Sequence, residues 1–240
     1  MVKIEKNKRL SKIKSHSGNF KKNVKGRPSA SDGNVRERIL KAAREVFCLY
    51  SFKTASTRMI AKQAGVEHPM IHYYFGSKEE LFYAMAEIMY NEVILIQQSW
   101  FKGIEASSLE EGFSIFVDRV LDYAMTTPDA LRISALNAMS IGNINEIPGY
   151  RFMIMNMASM KRVLEEGLML KGSNREIEMF IYCFYNIMIS FIGARSLQAQ
   201  VLNMDPLEEK YRAWVKDCCM TLFFPWFKKI LFGKDFREDK

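Results

Sequence analysis

Six side chains between residues 58 and 78 bring hydrogen-bond donors, aromatic rings and a thioether to the outward side of two short helical patterns. They are Arg58, His68, Met70, His72, Tyr73 and Lys78. Arginine, lysine and histidine can donate to guanine or to phosphate, and an apolar side chain can touch the methyl group of thymine. The set therefore fits contact with a DNA duplex, although it would also suit an ordinary solvated pair of helices.

A metal site is the alternative for the same residues. His68 and His72 are four positions apart, so they share a helix face, and Glu67 is adjacent. That arrangement could bind zinc. We favour DNA because the two histidines lie on the face that a duplex would cover, and we predict no metal and no cofactor. A metal-responsive regulator using this pair remains the alternative, which zinc titration of the free protein tests.

Two helices separated by a tight turn at Gly65 would position these side chains. Apolar residues recur at helical spacing on both sides of the turn: Ile60, Ala61 and Ala64 before it, then Ile71, Tyr74 and Phe75 after it. Ser56 or Thr57 is a natural N-cap for the first helix, and Pro69 suits the first turn of the second. The stretch is typical of a helix-turn-helix whose second helix lies in the major groove.

Residues 35–85 resemble the DNA-binding domain of the TetR (tetracycline-repressor) family of bacterial regulators. The matching segments are RERILKAAREVF (36–47), TRMIAKQAGV (57–66) and HYYFGSKEEL (72–81). Ser51 replaces a usual glycine, and Glu67 replaces a usual serine N-cap. The resemblance implies a DNA-binding surface made by Thr57, Arg58, His68, Pro69, Met70, His72, Tyr73 and Lys78. Of these, it implies base contacts by Arg58, His68 and Met70.

The positive charge is concentrated at the N-terminus. The net charge is +8, and residues 1–30 carry ten Lys or Arg against one Glu, so the rest of the chain sums to about zero. This segment has few large apolar residues, which predicts a disordered basic arm. Lys25 and Arg27 are candidates for minor-groove contact. A solvated tail that adds only non-specific affinity is the alternative.

Composition places the protein among ordinary globular chains. It has 240 residues, 48% of them apolar, and four scattered cysteines with no secretion signal, which suits the cytoplasm. The adjacent Cys218 and Cys219 could sense thiophilic metals or oxidants, but packing on an apolar helix explains them as well. The most apolar run, residues 179–194, is too short to span a membrane and predicts a fully buried helix. A membrane-surface protein, using the basic arm and amphipathic residues 224–232, remains a second alternative.

The helical patterns predict an all-α protein. We expect a first helix from Asn34, a long helix from Lys78 towards Gly103, and five further helices without strands from Ser108 onward. One of these is expected from Ser173 to about Leu202, and Pro225 is expected to kink or end the last. Ser77, Ser108 and Ser173 each precede a glutamate by three residues, as in a capping box, and Gly172 is a candidate residue just past a helix end. The predicted domains are the basic arm (1–30), a three-helix DNA-binding domain with the helix-turn-helix (31–78) and a helical effector-binding and dimerisation domain (79–240).

Nine of the sixteen methionines lie between residues 125 and 188, where polar residues interrupt otherwise apolar helices. Methionine suits adaptable cavities as well as cores. The resemblance implies a small-molecule effector site there, for which the candidates are Asn137, Asn156, Tyr182, Asn186 and Arg195. It also implies a homodimer, with candidate interface residues Phe180, Phe184, Ile187, Phe191, Trp214, Phe223 and Phe224.

No constellation of catalytic residues stands out, so we predict that the protein is not an enzyme. The only histidines are His16, His68 and His72. Taken with the resemblance, the sequence predicts a homodimeric regulator that binds a roughly palindromic double-stranded DNA operator, and no membrane. Repression is expected because the family mostly represses, and an effector would release the DNA.

Overall fold

The computed structural model describes residues 30–104, 108–138 and 146–233, in which the regular structure is helical and no strand occurs. The ten α-helices are α1 (Ala30–Phe47), α2 (Thr57–Ala64), α3 (His68–Phe75), α4 (Lys78–Gln97), α5 (Leu109–Thr126), α6 (Asp129–Ala138), α7 (Arg151–Gly167), α8 (Asn174–Met188), α9 (Arg195–Val201) and α10 (Glu209–Phe232). A 3-10 turn, Gln98–Phe101, follows α4, and a π-helical turn, Ile189–Gly193, follows α8. The all-α prediction is confirmed.

The chain divides into two compact units, Met1–Asn34 and Val35–Lys240, and the contacts given below belong to the second. Lys25, Arg27 and all but the last residue of the basic arm lie outside the described residues. The predicted domain boundary at residue 78 stays a prediction.

Serine side chains begin four helices as their local sequence predicts. The hydroxyl groups of Ser56, Ser77 and Ser108 each accept a hydrogen bond from the backbone amide three residues later. Ser173 and Glu176 form the reciprocal capping box, in which each side chain bonds to the backbone of the other residue. These bonds satisfy amides that have no partner inside the helix, so the helix starts are fixed by neighbouring residues.

Several helix boundaries differ from the prediction. Helix α1 begins at Ala30 rather than Asn34, and α7 ends at Gly167. Gly172 is therefore not the residue after a helix end; its amide donates to the carbonyl of Ile230 on α10, 2.8 Å away. The single helix predicted for residues 173–202 is interrupted by the π-helical turn, and α10 continues through Pro225.

Buried side chains form two hydrophobic clusters. The N-terminal cluster joins α1, α2, α3 and the first half of α4, with Phe47, Phe52 and Phe82 in mutual ring contact. The C-terminal cluster joins α5, α7, α8 and α10, with many of its phenylalanines in contact. The first cluster holds the helix-turn-helix in place, and the second forms the body of the remaining helices.

Two helices contribute to both clusters. Helix α4 supplies Phe82 and Met85 to the N-terminal cluster, and its Val93 packs against the C-terminal one. Helix α6 does the same with Ile133 and Leu131. The DNA-binding helices are therefore connected to the rest of the described helices through α6 as well as through α4.

Helix α6 packs unusually closely on the π-helical turn. A Cβ atom at Gly193 would clash with the backbone carbonyl of Leu131, so the two backbones approach each other directly. Only glycine permits this approach.

The stretch Asn174–Gly193 has the length and mean hydropathy, 1.3, of a membrane span. In this fold α8 buries Phe180, Ile181 and Phe184 against the C-terminal cluster, whereas Met179 and Tyr182 are exposed. The prediction of a fully buried helix is thus wrong for one face of α8. A one-sided apolar stripe is what an amphipathic core helix requires.

Candidate nucleic-acid interface and ligand cavity

The turn between α2 and α3 is fastened to α1. Gly65 adopts a left-handed conformation, with φ of 63°, which a residue with a Cβ rarely adopts. The guanidinium of Arg38 donates to the carbonyl of Ala64 at 2.6 Å and to that of Gly65 at 2.8 Å. These bonds fix the angle of the turn. The role of Arg38 could not be predicted from the sequence, because its partners lie 26 and 27 residues away and no local pattern indicates them.

Helix α3 buries one side and presents the other to solvent. Ile71 and Phe75 are buried in the N-terminal cluster, whereas Tyr73 on the opposite side is 73% exposed. Of the other predicted DNA-binding residues, Arg58, Pro69 and His72 are exposed, and Thr57, His68, Met70 and Lys78 are half-buried. Residues 57–73 of the predicted set therefore lie on or next to one helix pair, with their donors and rings available for a duplex.

Both histidines of α3 already have hydrogen-bond partners. His68 Nε2 lies 2.9 Å from the hydroxyl of Thr57, and His72 Nδ1 donates to the carbonyl of Gly76 at 2.8 Å. The two rings meet edge to face. Within residues 34–104, 108–138 and 146–233 no three His, Cys, Asp or Glu side chains come together as a metal site. The bonds orient the histidines on the outer face of α3, and Thr57 joins α2 to it.

Lys78 holds the loop that precedes α2. Its ammonium donates to the carbonyls of Phe52 and Ala55, at 2.7 and 3.1 Å, and lies 4.4 Å from the centre of the Phe52 ring. Three favourable contacts within the protein therefore already engage the ammonium of Lys78, which the sequence predicts to contact DNA. Contact with phosphate by Lys78 stays a prediction, and the structure gives this residue a positioning role in addition.

Two cavities lie between the helices that follow the helix-turn-helix. Cavity A, of about 100 Å³, is lined by α4, α6, α7 and Tyr185 of α8, and cavity B, of about 110 Å³, is lined by α4, α5, α6, α7 and α8. Val93, Ala130, Asn156 and Tyr185 line both. Four of the methionines singled out from the sequence line one or the other: Met153, Met157, Met160 and Met188. The two cavities are neighbouring chambers of one apolar region.

The structure brings only two of the five predicted effector residues to these cavities. Asn137 lines cavity A and Asn156 lines both. Tyr182 and Asn186 lie on the exposed face of α8, and Arg195 begins α9; none of the three lines either cavity. Sequence reasoning missed Gln97, Trp100 and Tyr185, because a polar or aromatic residue in a helix gives no sign of which cavity it faces.

Most polar groups around the cavities are paired within the protein. Gln97 donates to the Asn156 carbonyl oxygen at 2.6 Å and accepts from the hydroxyl of Ser159 at 2.8 Å. Tyr185 lies 3.3 Å from the hydroxyl of Ser134, and burial raises the pKa of the Tyr185 phenol. Among the described residues, the Nε1–H of Trp100 is the buried side-chain group without a hydrogen-bond partner.

Asn137 connects cavity A to the loop before α2. It is 2% exposed, its carbonyl oxygen accepts from the amide of Phe52 at 2.8 Å, and its amide donates to the carbonyl of Ile133 at 2.7 Å. A second link lies nearby, where Arg44 of α1 pairs with Asp129 of α6 and Glu92 of α4. Asn137, which the sequence analysis assigned to effector binding, is thus hydrogen-bonded to the loop between α1 and α2.

The predicted interface residues divide into two groups. Phe180, Phe184 and Phe223 are buried in the protomer's own C-terminal cluster, so they offer no surface to a second copy. Ile187, Phe191, Trp214 and Phe224 are half-buried. The exposed apolar side chains on the same helices are Met179 and Tyr182 of α8 and Leu222 of α10.

The adjacent cysteines lie in surroundings that disfavour the thiolate. Cys219 is fully buried, which raises the pKa of its thiol to about 12, and burial also raises the pKa of Cys218. Because the thiolate is the form that reacts with oxidants and metals, both groups are poor sensors at neutral pH. Packing on α10 accounts for them.

Comparison with known proteins agrees with this geometry. Residues 39–85 match the family described as bacterial regulatory proteins, tetR family. The chain is 32% identical over 108 residues to the HTH-type transcriptional repressor NicS of Pseudomonas putida. That alignment covers 45% of this chain, and the chain spans half the length of that relative.

Solved structures share the fold over most of the chain. The fatty acid degradation regulator FadR from Bacillus halodurans superposes with a TM-score of 0.57 at 17% identity, covering 82% of this chain and 98% of the other. FadR from Bacillus subtilis, solved in complex with stearoyl-CoA, gives a TM-score of 0.55 at 15% identity with the same coverage. At these identities the likeness shows the fold and nothing further.

Proposed function

We propose that this chain, whose N-terminal helices belong to the TetR family of bacterial regulators, represses transcription as a homodimer bound to operator DNA and is released by a small apolar effector. One observation carries the proposal. The helix pair that matches the family faces solvent with Arg58, His72 and Tyr73, while Ile71 and Phe75 anchor α3 from below. A helix fixed in this way on its inner side is what insertion into a major groove requires.

Arg58, His68 and Met70 are the proposed base-reading residues. Tyr73 and His72 would follow the phosphate backbone and set the register of the helix. Thr57 supports this arrangement, because its hydroxyl holds the ring of His68. Pro69 lies in the first turn of α3, and Lys78, the first residue of α4, also stabilises the loop before α2. Arg27 and Lys25 are proposed to add contacts in the minor groove.

Dimerisation is proposed through the outer faces of α8 and α10. Met179 and Tyr182 are three residues apart on α8 and are 46% and 58% exposed, and Leu222 on α10 is 55% exposed. An apolar stripe of this kind gains stability when it is covered by a second copy. A two-fold pair would place its two α3 helices on successive major grooves, which explains why the proposed operator is palindromic.

The proposed release depends on α6. This helix lines both cavities and is hydrogen-bonded through Asn137 to the loop before α2. A ligand that binds better to one position of α6 than to another shifts the population of DNA-binding conformations by that difference in affinity. Few hydrogen bonds separate α6 from α2. Asn137 bonds to Phe52, and Lys78 bonds to both Phe52 and Ala55, which is next to the N-cap of α2.

The test begins with selection of bound duplexes from a random pool, followed by affinity measurements by fluorescence anisotropy. Arg58→Ala should weaken binding to the selected sequence by about 5- to 150-fold, the equivalent of roughly 1–3 kcal/mol for a bidentate base contact. Binding to unrelated DNA should change little.

Arg162→Ala, which removes an exposed positive charge from α7, is the matched control. Equal loss in both variants would show a general charge effect and remove Arg58 from the base-reading set. Failure to enrich any duplex would refute the proposed function itself.

A further inference from the structure

We infer that His72 couples operator binding to pH: it bonds to a DNA phosphate only when its imidazole ring is protonated, so each α3 helix takes up a proton as it binds DNA. The inference rests on the proposed function, because it states how the same DNA-binding surface is regulated. It uses a hydrogen bond that fixes the tautomer of the ring, the exposure of the ring, and the chemistry of the phosphate oxygens.

The side chain of His72 is fixed at the end of its own helix. Its Nδ1 lies 2.8 Å from the carbonyl oxygen of Gly76, and the amide of Gly76 donates to the His72 carbonyl at 2.9 Å. Gly76 has a φ of 77°, a left-handed conformation that residues with a Cβ rarely adopt. The backbone therefore places the Gly76 carbonyl, and this carbonyl orients the imidazole ring.

The bond to Gly76 decides what the other ring nitrogen can do. A carbonyl oxygen only accepts hydrogen bonds, so Nδ1 carries a hydrogen whether the ring is neutral or charged. In the neutral ring Nε2 can therefore only accept, whereas in the protonated ring it donates. The oxygens of a DNA phosphate only accept. Neutral His72 thus has no Nε2–H for a phosphate, and protonated His72 does.

His68 differs from His72 in both respects. Its Nε2 lies 2.9 Å from the hydroxyl of Thr57, which can donate or accept, so either tautomer of His68 satisfies the bond. His68 is also half-buried, whereas His72 is exposed. The two rings meet edge to face with their centres 5.3 Å apart. His72 is therefore the histidine of α3 whose tautomer is set by an obligate acceptor and whose ring is open to a duplex.

The protein's own charges around α3 do not replace the phosphate. Arg36 of α1 and Glu80 of α4 lie at the same end of α3 as the ring. The ammonium of Lys78 bonds to the loop before α2, and Arg58 of α2 is exposed. These charges are present with or without DNA, so they do not by themselves make binding depend on pH. A phosphate is added only in the complex, where it favours the protonated ring.

Operator affinity measured against pH tests the inference. Fluorescence anisotropy of the full-length protein with the selected duplex is recorded from pH 8 to pH 6 at constant ionic strength, the range in which histidine changes charge. By linkage, the complex binds the proton more tightly than the free protein does, so affinity should rise as the pH falls. An exposed ion pair is equivalent to about two- to fivefold, so two copies in a dimer should give about 4- to 25-fold.

The salt dependence gives an independent readout. Each phosphate contact made by a cation steepens the slope of log affinity against log salt concentration by about 0.9. The slope should therefore be steeper at pH 6 than at pH 8, by up to about 1.8 for the two copies in a dimer. A purely structural role of His72 would leave the slope the same at both pH values.

Four variants assign the effect to one histidine. His72→Gln is neutral at every pH, so it should lose both the rise in affinity and the change in salt slope. His72→Lys is charged throughout this range, so it should bind equally at pH 6 and pH 8 with the steeper slope at both. His68→Gln and His16→Gln are the matched controls, because they remove the other two histidines of the chain. Each should keep the pH dependence even if its overall affinity falls.

Affinity that did not change with pH, or that fell as the pH was lowered, would overturn the inference; a fall would show that neutral Nε2 accepts from a base instead. A pH dependence that persisted in His72→Gln, or that was lost in His68→Gln or His16→Gln, would overturn the role of His72. In all these cases the operator is still bound, so the proposed function stands. Failure to bind any duplex at either pH would overturn both.

Discussion

Replacing Asn137 with alanine should loosen the loop before α2. The change removes the acceptor of the Phe52 amide and the donor to the Ile133 carbonyl, both inside the protein. Phe52 is 7% exposed, so its amide would find no water in place of the lost partner. A buried donor left unsatisfied costs about 1–3 kcal/mol. For a chain of this length, that loss lowers Tm by about 2–4 °C for each kcal/mol.

Hydrogen exchange followed by mass spectrometry locates the effect. A local opening that is easier by about 1–3 kcal/mol speeds exchange by about 5- to 150-fold. The increase should be confined to peptides covering Phe52 to Ala55. The ammonium of Lys78 bonds to the carbonyls of both residues, so opening at Phe52 also loosens Ala55. Affinity for the selected operator should fall in the same variant, because this loop precedes the N-cap of α2.

Ser134→Ala is the control for Asn137→Ala. Ser134 lies one turn earlier on α6 and also lines cavity A, but it bonds to Ala130 of its own helix and to Tyr185 of α8, not to the loop before α2. It should leave exchange near Phe52 and operator affinity unchanged. If the Phe52 amide exchanged as slowly in Asn137→Ala as in the wild type, the link between α6 and the loop before α2 would be refuted, whatever the change in Tm.

Three further outcomes are expected. Leu222→Lys should convert the dimer to a monomer in sedimentation analysis, whereas Leu207→Lys, 77% exposed before α10, should not; an intact dimer in Leu222→Lys would place the interface elsewhere. Glu176→Gln should lower Tm at pH 7, because the Ser173 amide and Lys229 hold the pKa of Glu176 down, from 4.5 to about 2. The wild-type advantage should disappear as the pH falls from about 4.5 to about 2, where the wild-type carboxylate also becomes protonated; a difference that persisted at pH 2 would contradict this. Removing residues 1–29 should weaken binding to every duplex and flatten the salt dependence, and an unchanged salt slope would show that the arm makes no phosphate contacts.

Features that depend on neighbouring residues could be predicted from the sequence. The cap at Ser108 and the capping box at Ser173 follow from side chains three residues apart. The helix-turn-helix follows likewise from Gly65 and the apolar spacing around it. Local geometry decides these features, so a single sequence carries enough information for them.

Features decided by distant partners could not be predicted. Phe180 and Phe223 were assigned to a dimer interface because they are large and apolar, but such residues suit a core equally well, and the fold places their rings edge to face inside one protomer. Asn137 was correctly expected near a cavity, yet its main partner, Phe52, lies 85 residues away. Nothing in the sequence indicates that the indole N–H of Trp100 lacks a hydrogen-bond partner.

The close approach at Gly193 limits how α6 can respond to a ligand. The Leu131 carbonyl already rests against the π-helical turn, where even a methyl group would not fit, so α6 has no free space on that side. At this contact, a shift of α6 towards Gly193 is therefore blocked. The backbone of the π-helical turn is thus a fixed contact for α6 whether or not a ligand is bound.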